Sequence, residues 1–497
     1  MAGADHQRRA DPDGGGAVSH PLPRSAPEAQ GVSRDAVRSL FARLDAELDS
    51  LHGLVLVRHG HVVAEANWEP YAVDAAHALY SVSKSFTSTA IGFAVAEGLL
   101  GVDDRLVELF PDAAPADPSP RLAELRVRHL LTMSTGHAED TFDAVAAGIA
   151  SEDSSGVAAF LALPLEHDPG ARFVYNTGAS YVLSALVQRL SGERLLDYLT
   201  PRLLEPLGIV GAGWQQDRHG IDFGGFGLSI TTRDIAAFGE FLLRRGRAGG
   251  RQLLPAEWID TASAAHVANA SDWPDWRQGY GYQFWRSRHG FRGDGAFGQF
   301  CLVLPEHDAV IAITASLREL QEPLEILWGA LDGLFPASPP ERSPEPSRAD
   351  GTQGAPELAH FEVPAPTGAR TSPRLASLAW ARYQLEPSSG FDTLEIEPHR
   401  EGTTLVFEAE DGVQRIHFGA TRWIPGTSTR PAEPATPIRA RGAWVSDAVF
   451  RGRVVAADDP HGVDHELRLD GDDVVWTRTP LVSFGPITTR TSRGRRA

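Results

Sequence analysis

Strand-forming runs stand at both ends of the first 335 residues, and the stretch between them reads as helix and loop. "LVLVRHG" and "HVVAEANW" come early, turning at His59-Gly60. "GYGYQFW", "GQFCLVLP" and "AVIAITAS" come late, the last two joined by a turn at Glu306-His307-Asp308. Buried strands must pair their backbone N–H and C=O groups, so the two sets need each other. This predicts one antiparallel sheet built from both ends of the region, with a helix-rich insertion from about residue 80 to 275. Flanking helices follow from the apolar period. Ser33 caps "RDAVRSLFARLDAELDSL", whose Leu40, Phe41, Leu44, Leu48 and Leu51 share a stripe, and "PLEILWGALDGLF" closes the region. The expected class is α+β.

Composition sets the remaining boundaries. Residues 1–32 are rich in Gly, Pro and Asp and are expected to be a disordered tail ahead of a domain spanning 33–335. The Pro- and Ser-rich run "PASPPERSPEPSRADGTQGAP" marks a linker over 336–374. From 375 to 497 short alternating runs such as "TTLVFEAEDG", "AVFRGRVVAA" and "HELRLDGDDVVWTR" predict an all-β accessory domain, barrel or sandwich. Its basic end, with Arg490, Arg493, Arg495 and Arg496, reads as a frayed terminus.

A net charge of −19 argues against nucleic acid or an anionic membrane as partner. Cys301 is the only cysteine, so no intrachain disulfide is possible, and its apolar strand setting makes it a core residue. The longest apolar stretch, "AIGFAVAEGLLGV", is too short to span a bilayer and is broken by Glu97. The first residues lack the apolar core of a secretory leader, so a cytoplasmic protein is expected. His59 and His61 read as hairpin residues, and no His-Glu-x-x-His or paired-Cys motif calls for a metal or other cofactor. No Gly-x-Ser-x-Gly elbow suggests an α/β-hydrolase.

Chemistry concentrates in "SVSKSFTS", residues 81–88. Its Lys84 is the only lysine among 46 Lys and Arg residues. Arginine supplies positive charge everywhere else, but a guanidinium stays protonated at every accessible pH, whereas an ammonium can be pushed into titration by burial. The one lysine therefore marks a place for proton transfer, against the plainer reading of a solvated helix face. Ser81 stands three residues earlier, between "HALY" and the helical pattern "SFTSTAIGFAVAEGLL". It falls at or in a first helical turn, where free N–H groups favour an oxyanion. Three residues apart on a helix the two side chains meet, and a desolvated amine can take the proton of a serine hydroxyl. Ser83 and Ser85 have no lysine at that spacing.

"YSVSKSFTSTAIGFAVAEGLLGVDDRLVELFP" resembles the nucleophile helix of the serine β-lactamase-like hydrolases, a superfamily of class C β-lactamases, D-Ala-D-Ala carboxypeptidases, esterases and 6-aminohexanoate-dimer hydrolases. "LRVRHLLTMSTGH", "DPGARFVYNTGASYVLSALVQRLSG" and "GFGLSITTRDIAAFGEFLL" are similar to further segments of that superfamily, so the resemblance runs from about residue 34 to 335. It implies that Tyr175, in a Tyr-x-Asn-like loop, relays a proton between nucleophile and leaving group; near an ammonium such a phenol is expected to be partly ionised. The third position of that motif is Thr177 rather than Asn or Ser, leaving either Asn176 or Thr177 to supply the polar side chain. The third family motif aligns on Gly293-Asp294-Gly295, with Arg292 as the only nearby cation and an oxyanion-binding N–H near Ala296. "GDGAFG" also satisfies a dinucleotide pattern, but a strand, not a helix, follows it.

The expected function is a Ser-x-x-Lys acyl hydrolase of a small ester or amide, acting through an acyl-enzyme on Ser81 with no cofactor. β-Lactamase or D-Ala-D-Ala peptidase activity stands behind it, because the third motif lacks the Lys or His that commonly holds a substrate carboxylate. A former enzyme retained as a binding protein is the alternative from another class. Trp214, Tyr280, Tyr282 and Trp285 are candidates to line the cleft, at least half of them being expected in the core.

Overall fold

Ser33 does cap the first long helix: its hydroxyl accepts from Ala36 N at 3.2 Å, and Arg34–Glu47 follows with Val37, Leu40, Phe41 and Leu44 buried. That apolar stripe has to be covered, and it packs on a seven-stranded sheet beside the helix Gln321–Leu334. The computed structural model from which this is drawn describes residues 22–336, 355–374, 381–410, 412–428 and 435–497.

The sheet order is Glu357–Glu362, His61–Glu69, Leu51–Arg58, Ala309–Ala315, Gln299–Leu304, Phe291–Gly295, Trp285–Arg286. Early and late strands meet at its centre, where Leu56 faces Ile311 in antiparallel register, as the two-ended strand pattern predicts. Both faces are covered, which is why these strands read as nearly unbroken apolar runs. Leu54, Leu56, Leu302 and Ile311 point to the terminal helices. Val55, Val57, Val303 and Val310 point to the helical insertion. There the helix Thr232–Leu243 rides close to the sheet because Gly239 has no side chain; a Cβ would meet Val310 Cγ1 at 2.4 Å. Among the described residues no helix is long and apolar enough to cross a membrane.

Two segments differ from their sequence reading. Residues 22–32, assigned to the tail, lie against the sheet: Ser25 N donates to Val62 O at 3.0 Å, and Arg24 joins Arg233 in pairing the buried carboxylate of Glu65. A carboxylate 3% exposed needs such partners. Residues 1–21 lie outside the described residues. The stretch assigned to the linker contains the edge strand Glu357–Glu362, parallel to His61–Glu69 in an otherwise antiparallel sheet. Glu357 is gripped by Arg34 and Arg38, and Phe361 stacks on Trp68 at 5.0 Å. Six residues in a Pro-rich setting carry too little pattern to announce a strand whose partners lie hundreds of positions away.

The C-terminal domain is a barrel. Ten strands from Ala381–Leu385 to Arg490–Arg496 form one sheet, closed by a pairing of Gly419 with Arg441. Its interior holds Tyr383, Leu405, Phe407, Phe418, Trp444 and Trp476. The basic end is no frayed terminus: Arg490–Arg496 pairs with Ala381–Leu385 and Asp473–Pro480, with Ser492 and Gly494 turned inward and Arg493 and Arg495 outward.

Candidate active site

Tyr80–Val82 is a single tight helical turn that runs directly into the helix Ser83–Ala96, so Ser81 sits at the mouth of a helix as its sequence position requires. Tyr80 holds a positive φ of 48°, a conformation costly for a bulky residue and one that tends to persist where surrounding contacts enforce it. The helix behind is buried on nearly every side, and the two hydroxyls nearest Ser81 are committed to other partners. Ser85 Oγ donates to Gln283 O at 3.0 Å, and Ser83 Oγ accepts from Leu228 N at 3.2 Å. Neither competes with Ser81 for a base.

Lys84 Nζ lies 3.0 Å from Ser81 Oγ, 2.8 Å from Gly225 O and 3.4 Å from Thr177 Oγ1. The side chain is 1% exposed, and burial pushes its pKa down to about 7, with the charge of Asp140 pulling weakly the other way. An arginine could not be neutralised here. Tyr175 stands over the same amine, its ring centroid 4.9 Å from Nζ. Burial raises its phenol well above the ordinary value despite the interaction with the Ser81 hydroxyl, so Tyr175 is a neutral phenol rather than the partly ionised one expected from a neighbouring ammonium. The cause is the shared burial, which disfavours the ammonium of Lys84 and the phenolate of Tyr175 alike.

The loop after Tyr175 separates its two candidates. Asn176 is fully buried and caps the helix Thr177–Ser191; its Oδ1 accepts from Ala179 N at 3.1 Å and from the Thr141 hydroxyl at 2.8 Å. Thr177 instead faces Lys84 and the cavity. The strand Phe291–Gly295 lies against the turn that carries Ser81 so closely that a Cβ on Gly295 would stand 2.3 Å from Leu79 O and 3.3 Å from Ser81 N. Asp294 and Ala296 line the cavity, but Arg292 does not. It is 0% exposed, packed on Trp276 and paired with Asp294 at 2.9 Å. Burial raises the Asp294 carboxyl to about 6 against the pull of Arg292.

The cavity over Ser81 holds about 770 Å³ and is walled by Tyr80, Phe142, Tyr175, Phe226, Trp276 and Trp285. Of the four aromatic candidates, Trp285 lines it, while Trp214, Tyr280 and Tyr282 are buried. Three positions that bond to the site's residues were not singled out from sequence. Gly225 offers only a carbonyl, which no motif announces. Asp140 Oδ1 accepts from Thr177 N at 2.8 Å across 37 residues of chain. Gln299 ties the turn after Gly295 to the sheet through Ala296 O at 3.0 Å and Ala315 O at 2.9 Å.

A sheet assembled from both chain ends, a buried helix behind a Ser-x-x-Lys turn and a helical insertion carrying the tyrosine loop define a β-lactamase/penicillin-binding-protein-like fold. The chain belongs to the Beta-lactamase family, whose model matches residues 38–332. It is 26% identical over 314 residues to a 6-aminohexanoate-dimer hydrolase of Paenarthrobacter ureafaciens, spanning 59% of this chain and 80% of that protein. To a lovastatin esterase of Penicillium rubens it is 26% identical over 217 residues, 37% of this chain and 53% of the esterase. Among solved structures, EstCE1, a hydrolase with promiscuous acyltransferase activity, superimposes with a TM-score of 0.51 at 17% identity, covering 62% of this chain and 99% of that one. Family membership makes this a serine hydrolase in class, in agreement with the resemblance carried by the motifs.

Proposed function

We propose that the protein hydrolyses a small ester or amide through an acyl-enzyme on Ser81. One observation carries this reading: a buried amine with a pKa of about 7 lies 3.0 Å from the Ser81 hydroxyl. A neutral amine has two N–H bonds and one lone pair. Gly225 O and Thr177 Oγ1 take the N–H groups, which leaves the lone pair for the Ser81 proton. Ser81 Oγ attacks the substrate carbonyl carbon as its proton passes to Lys84 Nζ, and the carbonyl oxygen becomes an oxyanion held by the N–H groups of Ser81 and Ala296. As the tetrahedral intermediate collapses, the carbon–leaving-group bond breaks. The departing oxygen or nitrogen takes the proton from Lys84, relayed by the neutral Tyr175 hydroxyl. Water then attacks the acyl carbon, gives a proton to Lys84, and Ser81 recovers it as the acid leaves. None of these steps calls on a metal or organic cofactor, a nucleic acid or a membrane, and we place the reaction in the cytoplasm.

The hydrolase and esterase relatives support ester and amide substrates over a binding role. Arg292, sealed behind the wall and committed to Asp294, favours the same reading over β-lactams and D-Ala-D-Ala peptides, whose carboxylate would need a free cation. The test is covalent. A fluorophosphonate should modify the peptide containing Ser81 and not the hydroxyls of Ser83 or Ser85, read by mass spectrometry. Ser81→Ala should lower turnover of the best ester by at least about 10⁴-fold with an unchanged fold. Hydrolysis by Ser81→Ala at near the wild-type rate would refute the assignment.

A further inference from the structure

The barrel does not merely follow the hydrolase domain; its loop Ala457–His461 is fastened over the nucleophile turn. Ala78 N donates to Asp458 O at 2.8 Å, Ser316 Oγ to Pro460 O at 2.6 Å and the Tyr80 hydroxyl to Asp459 Oδ2 at 3.0 Å. Arg318 Nε reaches a second barrel segment at Leu481 O, 2.8 Å away. Three residues beyond it, Phe484 projects 76% exposed, against the rings of Phe297 at 4.8 Å and Tyr80 at 5.9 Å. Asp459 and Phe484 both line the cavity that contains Ser81.

Charge in that cavity is one-sided. Asp140, Asp143, Asp294 and Asp459 line it, and among the described residues no arginine does; Lys84 lies beneath Ser81, 1% exposed. Among the described residues only Asp294 is offset by a guanidinium, that of Arg292 at 2.9 Å. Asp459 accepts from His461 N at 2.9 Å and lies 2.6 Å from its Nδ1. Burial alone would raise the Asp459 carboxyl, but the His461 and Tyr80 hydrogen bonds hold it below its ordinary value, so it faces the cavity ionised. The remaining walls are aromatic faces, which attract cations and apolar bodies alike.

We propose that the barrel is a working part of the active site, in which Asp459 and Phe484 form the substrate-selecting wall and favour esters or amides that carry a positively charged amine on an apolar body. The proposal rests on Ser81 being the acylated residue. Anionic substrates are repelled by the same carboxylates, since field lines concentrate in a low-dielectric cleft.

The test uses full-length protein and three p-nitrophenyl esters of equal length, ending in trimethylammonium, tert-butyl or carboxylate. Wild-type kcat/KM should run cation, neutral, anion, with about fivefold or more between successive members at low ionic strength, the worth of one carboxylate at contact distance. The spread should shrink with added salt. Asp459→Asn, nearly isosteric and able to keep the Tyr80 hydrogen bond, should remove most of the preference for the cation over the neutral ester, chiefly through KM. Phe484→Ser, at a site too exposed to unfold the chain, should raise KM for the cationic and neutral esters. A neutral fluorophosphonate should still modify Ser81 in both variants, which shows that the site remains assembled. A neutral or anionic ester as the best wild-type substrate overturns the charge assignment. Unchanged discrimination in Asp459→Asn together with unchanged KM in Phe484→Ser overturns the role of the barrel. A wild type that Ser81 labelling leaves unmodified overturns the acyl-enzyme reading first, and this inference with it.

Discussion

Lys84 shows how much one side chain's surroundings decide. An ammonium with an ordinary pKa near 10.5 is a poor base at neutral pH because it holds its proton. Burial of the amine beside Ser81 brings the value to about 7, where half the molecules carry a free lone pair. The sign follows directly: the lowered pKa means that the base form accumulates as pH rises through about 7, so kcat/KM for a non-ionising ester should climb through that region. Lys84→Arg keeps a charge but can never release it. It should lose at least about 10²-fold in kcat/KM, and Lys84→Ala should lose a comparable amount. The rising limb near pH 7 should vanish in both. An arginine variant within a few-fold of wild type, with its pH profile intact, would assign the proton transfer elsewhere.

At the level of elements, the helix Thr177–Ser191 does two separate jobs at adjacent residues. Asn176 is its cap, bonded to Ala179 N and Thr141, and it makes no hydrogen bond to Ser81 or Lys84. Thr177, one residue on, touches Lys84. Asn176→Ala should therefore destabilise the protein by about 1 kcal/mol or more, the usual cost of a lost cap, and reduce activity only as far as the fold loosens. Thr177→Val keeps the shape and removes the hydroxyl. It should leave the melting temperature nearly unchanged while lowering kcat and moving the pH–rate midpoint, because one of the N–H partners of Lys84 is gone. Equal loss of stability in the two variants would show that the division of labour is wrong.

Across the whole molecule, barrel and hydrolase domain are joined at the active site and again at the sheet edge, where Arg441 pairs with Glu362. Contacts through Ala78, Tyr80, Ser316 and Arg318 tie the barrel loops to the turn that carries Ser81. Calorimetry should consequently show a single unfolding transition, raised as one by a phosphonate on Ser81. Two separated transitions, with only one responding to the adduct, would mean that the barrel is an independent passenger. What the sequence determined by itself is what local spacing can express. Apolar runs at both ends of the region predicted the sheet, Ser33 the first helix, and one lysine three residues after a serine the pair that the fold sets 3.0 Å apart. Tyr175 was legible only through its family resemblance, and its ionisation only from its burial. Tertiary structure alone decided the rest: the edge strand Glu357–Glu362, the basic barrel strand Arg490–Arg496, the sealing of Arg292, and the arrival of Asp459 and Phe484 at a serine some 400 positions earlier in the chain. Contacts between residues so far apart leave no periodic trace, because each is set by how whole elements pack and not by the chain between them.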